Sequence, residues 1–148
     1  MMMFSENYSS QTALASVQKA LDPNLTDREL ASMARADEVK VRAAVAERAD
    51  TPVMTLLKLS RDPSPAVRAG VASNPSPDVP EDLFLELASD KAPEVVFALI
   101  YNHAVPRAVI AKLARQIHKK HSGAARARLA SASTGPSDSA IVGIATKR

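Results

Sequence analysis

The chain has 148 residues, a formal net charge of +3, no Cys, no Trp, two Tyr and three Phe. That length suits a single domain with a real core, and the composition means Ala, Leu, Val and Ile must fill it. The absence of Cys excludes disulfides, thiolate metal sites and iron–sulfur clusters, and it fits a reducing compartment.

Charge is distributed unevenly. Residues 1–94 carry 10 Lys/Arg and 15 Asp/Glu, whereas residues 95–148 carry 9 Lys/Arg and one acid, Asp138. Such a split points to a basic face or arm with an anionic partner. The start, MMMFSENYSS, lacks a basic region followed by an apolar one, and no apolar run reaches the ~18 residues that span a bilayer. The expectation is a soluble cytoplasmic protein.

In chain order, residues 1–9 read as a disordered start. Ala13, Leu14, Val17 and Leu21 then give an amphipathic N-terminal cap helix, ended by Asp22-Pro23-Asn24. Thr26-Asp27-Arg28-Glu29 is a capping box, with Thr at the N-cap and Glu at N3. Leu30, Met33 and Ala34 form the apolar stripe of the helix it opens.

From Asp37 to Arg115 one pattern occurs three times. Val41, Val67 and Val95 correspond, spaced 26 and 28, and Pro52, Pro80 and Pro106 correspond, spaced 28 and 26. Leu56, Phe84 and Ile110 lie four residues after each Pro, and Leu59, Leu87 and Leu113 lie seven after it. Periods of this length mean a solenoid or array. Each copy divides into two helical pieces. The second opens at its Pro, whose missing N–H costs nothing in a first turn. The first is short and Ala-rich, so its neighbours can approach closely. Asn74 and Asn102 fall where the chain must reverse, which suits Asn.

These residues resemble the leucine-rich repeat variant family, a bacterial α-solenoid in the style of HEAT and armadillo arrays. The resemblance rests on Leu56, Leu59, Asp62, Val67, Arg68, Val71, Ala72 and Asn74, then Pro80, Phe84, Leu87, Ala88 and Asp90, and it covers about residues 26–115. It implies an all-α fold: a right-handed α-solenoid of about three to four short repeats, in which α-helices alternate with short 3₁₀ helices. Some family members carry a cysteine-ligated iron–sulfur cluster, which a chain without Cys cannot hold. Two positions depart from the pattern: Arg48 replaces the turn Asn in the first copy, and Val96 replaces the Arg in the third.

Past Arg115 the pattern stops. Residues 106–120 read as one longer helix broken at His121-Ser122-Gly123, and residues 124–132 as a final short helix with Leu129 facing inward. The expected domain plan is a disordered 1–9, a repeat domain over 10–130 and a flexible Ser/Thr/Gly/Pro-containing tail over 131–148. The apolar run 140–145 in that tail either packs back on the array or stays free.

No nucleophile elbow, Gly-rich phosphate loop or paired catalytic carboxylates can be recognised, so no catalytic residue, cofactor or small-molecule substrate is assigned. His118 and His121 stand i, i+3, but no carboxylate lies between Glu94 and Asp138, and no metal is assigned. Asp37 with Arg42, and Asp62 with Arg68, read as structural groups in step with the fold: the Asp caps the following short helix, and the Arg pairs with it or with the Asp of a neighbouring repeat. The basic segment is the sharpest other feature: Arg107, Lys112, Arg115, Lys119, Lys120, Arg126 and Arg128, with no acid among them. It reads either as a polar end cap or as a footprint for a phosphate backbone. Phe97 is placed in the core, and Tyr101 is the candidate protein-binding anchor. The reading is therefore a non-catalytic scaffold or adaptor that binds another protein through its solenoid surface. The alternative is a sequence-nonspecific DNA- or RNA-binding module that uses residues 107–128. Membrane binding is not inferred.

Overall fold

The computed structural model describes the backbone of residues 2–116 and 119–133, and side chains within 11–116 and 122–131. The described residues form helices joined by short turns, without a strand. They are α1 (Met2–Ala20), α2 (Asp27–Met33), α3 (Val39–Glu47), α4 (Val53–Leu59), α5 (Pro65–Ala72), α6 (Glu81–Leu87), α7 (Pro93–Tyr101), α8 (Arg107–Ala114) and α9 (Lys119–Ser133).

The odd-numbered helices stack side by side, each against the next, as one layer. The even-numbered helices lie on the other side and contact each other sparsely, leaning on the odd layer. This is an α-solenoid. Its second-layer helices are only seven or eight residues long. Isolated helices of that length are not stable in water, so packing must hold them. Where the family resemblance implies 3₁₀ segments, the described residues have these short α-helices instead.

The core follows the repeat register. Val41 and Val45, Val67 and Val71, and Val95 and Leu99 are buried along the odd layer. Leu56, Phe84 and Ile110, with Leu59, Leu87 and Leu113, are buried from the even layer. At Gly70 a Cβ would lie 2.9 Å from Ala46 Cβ and 3.1 Å from the Ala43 carbonyl oxygen. The missing side chain lets α5 lie directly on α3.

Several expectations change. Residues 1–9 are expected as a disordered start; the backbone of 2–9 is the first part of α1. The stripe that α1 presents to the array is Ala13, Ser16, Val17 and Ala20, while Leu14 and Leu21 are exposed. Ala20 is buried in the same column as Ala46 and Ala72, at the repeat spacing of 26. Hence α1 is itself the first-layer helix of an earlier copy. Pro52, Pro80 and Pro106 sit at N-caps, one residue ahead of the first helical position. Pro65 and Pro93 occupy the first turns of α5 and α7.

The end of the array differs most. Residues 106–120 do not run on as one helix: α8 ends at Ala114 and α9 begins at Lys119. Gly123 lies inside α9, where its Cβ position is open, and it breaks nothing. Ala125, 26 residues after Leu99, is buried at the corresponding position, and Leu129 packs partly against the core. So α9 is a further first-layer helix. His118 and residues 134–148, with the 140–145 run and most of the expected tail, lie outside the described residues.

Candidate functional site

Two polar ladders run along opposite edges of the array, and together they define its free surface. One edge carries the N-termini of the odd helices. There Arg42 reaches forward to the next copy: its Nε and Nη2 donate to Asp62 Oδ2 and Oδ1 at 2.8 and 3.2 Å, and its Nη1 donates to the Ala36 and Asp37 carbonyls. Arg68 repeats this, with Nε and Nη2 on Asp90 at 2.7 and 3.2 Å and Nη1 on the Asp62 and Pro63 carbonyls. Asp62 and Asp90 also accept from the Ser64 and Ala92 N–H groups, which fixes the entries to α5 and α7. Each Asp thus pairs with the Arg of the preceding copy and caps its own.

The third rung is absent. Val96 takes the Arg position and is buried, and Gln116 takes the Asp position. Gln116 Nε2 instead donates to the Ala88 carbonyl at 3.4 Å.

At Asp90, burial raises the carboxyl pKa, but the Arg68 fork and the Ala92 N–H together outweigh it and hold it below the ordinary 3.8. The Arg48 fork holds Asp50 below the same value. The folded state therefore binds these protons less readily than the unfolded chain does. Stability is fully present above pH 3.8 and is lost as the pH falls through the folded values. Melting temperature should be level from neutral pH to about 5 and drop below about 4. An Asp90→Asn variant should be less stable at pH 7 and should lose less on acidification, as read by circular dichroism melts across pH.

The opposite edge carries the C-termini of α3, α5 and α7 and the N-termini of α4, α6 and α8. Here Asn74 Nδ2 donates to the Ala46 and Arg48 carbonyls, both at 2.8 Å, while its Oδ1 accepts from Ser76 N–H. Asn102 does the same to Ala72 and Asn74, and accepts from Ala104 N–H. Each Asn closes its own turn and ties down the free carbonyls at the end of the previous helix, a demand every helix C-terminus makes. Arg48 substitutes for the Asn by reaching with Nη1 to the Ala20 and Asp22 carbonyls, both at 2.7 Å. At the far end Arg128, 26 residues beyond Asn102, donates through Nη1 to the Leu99 and Ile100 carbonyls. The ladder therefore runs Arg48, Asn74, Asn102, Arg128. From sequence the Asn residues are turn formers, and Arg128 belongs to the basic segment offered to an anionic partner or a polar end cap. The step of 26 from Asn102 to Arg128 was the available signal.

This edge also bears the open surface. Tyr101, the last residue of α7, is 71% exposed. Its ring stacks on Phe97 with centroids 6.4 Å apart and planes at 17°, which fixes its direction. Phe97 is half-buried and packs partly against the core. Beside them lies a groove of about 700 Å³ walled by Pro75, Pro77, Ala98, Tyr101 and His103. Two smaller hollows continue it toward α9. One of about 320 Å³ lies among Tyr101, His103, Ala124 and Arg128, and one of about 250 Å³ lies among His103, Arg107, Ile110 and Arg128.

Among the described residues, the cations of the basic segment stand at both ends of α8 and on α9. Arg107 opens α8 on the Asn edge and shares a hollow with Arg128. Lys112 and Arg115 are exposed at the other end of α8, and Arg115 Nε donates to the Ala111 carbonyl. Lys119 and Lys120 begin α9, and their side chains lie outside the described residues. Arg126 is exposed on α9, whereas Arg128 is half-buried.

Among known families, the leucine rich repeat variant model matches residues 39–64, which span α3, α4 and the approach to α5. That segment is similar to one leucine rich repeat variant. No curated protein and no solved structure matches the chain. The matched segment contains Arg42, Arg48 and Asp62, so both ladders pass through it. The geometric recurrence of those ladders at Arg68, Asn74 and Asn102 extends the repeat architecture beyond its C-terminal end, and the Arg48 bonds to Ala20 and Asp22 join it to α1. Among the described residues, no helix is long and apolar enough to cross a membrane.

Proposed function

We propose that the protein is a non-catalytic repeat scaffold that binds another protein along the Asn edge, with Tyr101 as the central anchor. The observation that carries this reading is Tyr101 itself. A large aromatic ring 71% exposed, held in place by Phe97 and set beside a proline-walled groove, has the character of a binding hot spot. An aromatic ring fixed before binding loses little freedom on contact. The ladders support a scaffold role, because they tie each repeat to the next.

The placement of the cations favours a protein partner over a phosphate backbone. A nucleic-acid footprint gains from cations aligned on one track. Here Arg107 and Arg128 stand at one edge, and Lys112 and Arg115 at the other.

The test is quantitative affinity capture on immobilised full chain after nuclease treatment, comparing the wild type with Tyr101→Ala. Tyr101 is largely exposed, so the variant should melt within about 1 °C of wild type, as surface changes usually do. Proteins retained by the wild type should fall at least tenfold on the variant, the scale of a hot-spot aromatic. An unchanged protein profile sinks the reading. Material recovered only without nuclease, and released by salt, favours the nucleic-acid alternative.

A further inference from the structure

Three arginines of the array use the guanidinium in the same way. Arg42, Arg48 and Arg68 each give Nη1 to a pair of backbone carbonyls and turn Nε and Nη2 onto one carboxylate, that of Asp62, Asp50 and Asp90. A planar fork with five donors suits this division of labour. Arg128 makes the first half of the pattern, with Nη1 on Leu99 and Ile100. The second half is missing: among the described residues no carboxylate pairs with Arg128. Position i+2, which supplies Asp50 to Arg48, is Ala130 here. No acid occurs between Glu94 and Asp138. Burial accordingly pushes the Arg128 pKa down, whereas those of Arg42, Arg48 and Arg68 are raised, mainly by their carboxylate partners. An uncompensated, partly desolvated cation is costly and attracts an anion.

We infer that Arg128 is a receptor for a carboxylate carried by the partner protein, which enters between Arg107 and Tyr101 and completes the fourth arginine fork of the array. The inference rests on the protein-binding reading and names the chemistry of that partner: an acidic side chain or a C-terminal carboxylate beside an apolar residue. Arg128 borders both small hollows. The one toward α8 brings Arg107 as a second cation, and the one toward α7 brings Tyr101 as the neighbouring anchor. A hollow of about 250 Å³ has room for a carboxylate and its stem. Bidentate Arg–carboxylate pairs combine strength with geometric selectivity. The excess of positive charge beyond residue 95 steers the same kind of partner to this end.

The experiment is selection of random heptapeptides displayed on phage against the full chain, followed by fluorescence anisotropy of the recovered peptides. Recovered peptides should share an Asp or Glu at one position, and replacing it by Asn or Gln should weaken binding about tenfold or more, the scale of a charged hydrogen-bonded pair. Amidating the peptide C-terminus distinguishes a terminal carboxylate from a side-chain one. Arg128→Lys keeps a charge and donors but loses the fork, so the same acid should then matter about threefold or less. Arg107→Gln makes no backbone clamp and gives the second readout if Arg128→Lys fails to fold. Peptides that bind without dependence on any acid overturn the inference and leave the protein-binding reading intact. Failure to recover any binding peptide overturns both. Acidic peptides that bind only an Asp138→Asn variant assign the fork to this chain's own acid and overturn the partner.

Discussion

Replacing Phe84 by Ala is expected to cost about 3–5 kcal/mol. Phe84 heads the fully buried side chains by volume and is 1% exposed. It stands where Leu56 and Ile110 stand in the neighbouring copies, and α6 has only seven residues to hold it. The even helices touch each other little, so each is fixed mainly by what it inserts toward the odd layer. Losing the ring leaves a void that Leu83 and Leu87 cannot fill without shifting α6. Whole-domain stabilities are about 5–15 kcal/mol, so the variant should be marginal at 25 °C. In an array each repeat leans on its neighbours, so the loss should propagate rather than stay local. Urea unfolding followed by far-UV circular dichroism would read this as a much lower midpoint. A midpoint shifted by the equivalent of less than about 1 kcal/mol would mean that the packing at this position is not as described.

The parts of this fold that were legible in sequence are those that local chemistry dictates. The repeat spacing placed the buried Val and Leu columns because apolar periodicity reports burial directly. The Thr26–Glu29 box was legible for the same reason, and both of its reciprocal hydrogen bonds form, with Thr26 N–H donating to Glu29 Oε2 at 2.8 Å. What the sequence leaves open is whether each Arg pairs within its own copy or with the Asp of a neighbouring one. Asp62 and Arg68 belong to one copy, yet each bonds across to another, Asp62 back to Arg42 and Arg68 on to Asp90. Sequence allows either pair, and the stacking selects the one between copies. The helix end at Ala114 was missed because nothing punctuates it, while Ser122-Gly123 looks like a break but carries no positive φ and lies inside α9. Arg128 illustrates the same limit at the candidate site. A surface cation and a ladder rung share one letter, and the difference lies in the carbonyls of Leu99 and Ile100 that it meets.

Arg68→Ala should destabilise by about 3–5 kcal/mol, the usual cost of removing one partner from a buried pair. The side chains of Arg68 and Asp90 are 20% and 11% exposed, so water screens the Asp90 charge only slightly once its partner is gone. The Asp62 and Pro63 carbonyls lose their donor at the same time. Asp90→Ala alone should cost less, since Arg68 keeps those two carbonyls, although the Ala92 N–H is left without its cap. The double variant Arg68→Met with Asp90→Ala should be less destabilised than the two single effects added together, because no charge is then left stranded. The chain contains a natural precedent for that outcome. At the next rung Val96 and Gln116 replace the Arg and the Asp, and the array continues through α7 to α9 without an ion pair there. If the single variants prove as stable as wild type, the ladder is ornament on an array held by its apolar columns alone. If the double variant is as unstable as the sum, the ion pair contributes more than its replacement by packing can recover, and the Val96 rung must be stabilised by contacts that position 68 cannot make.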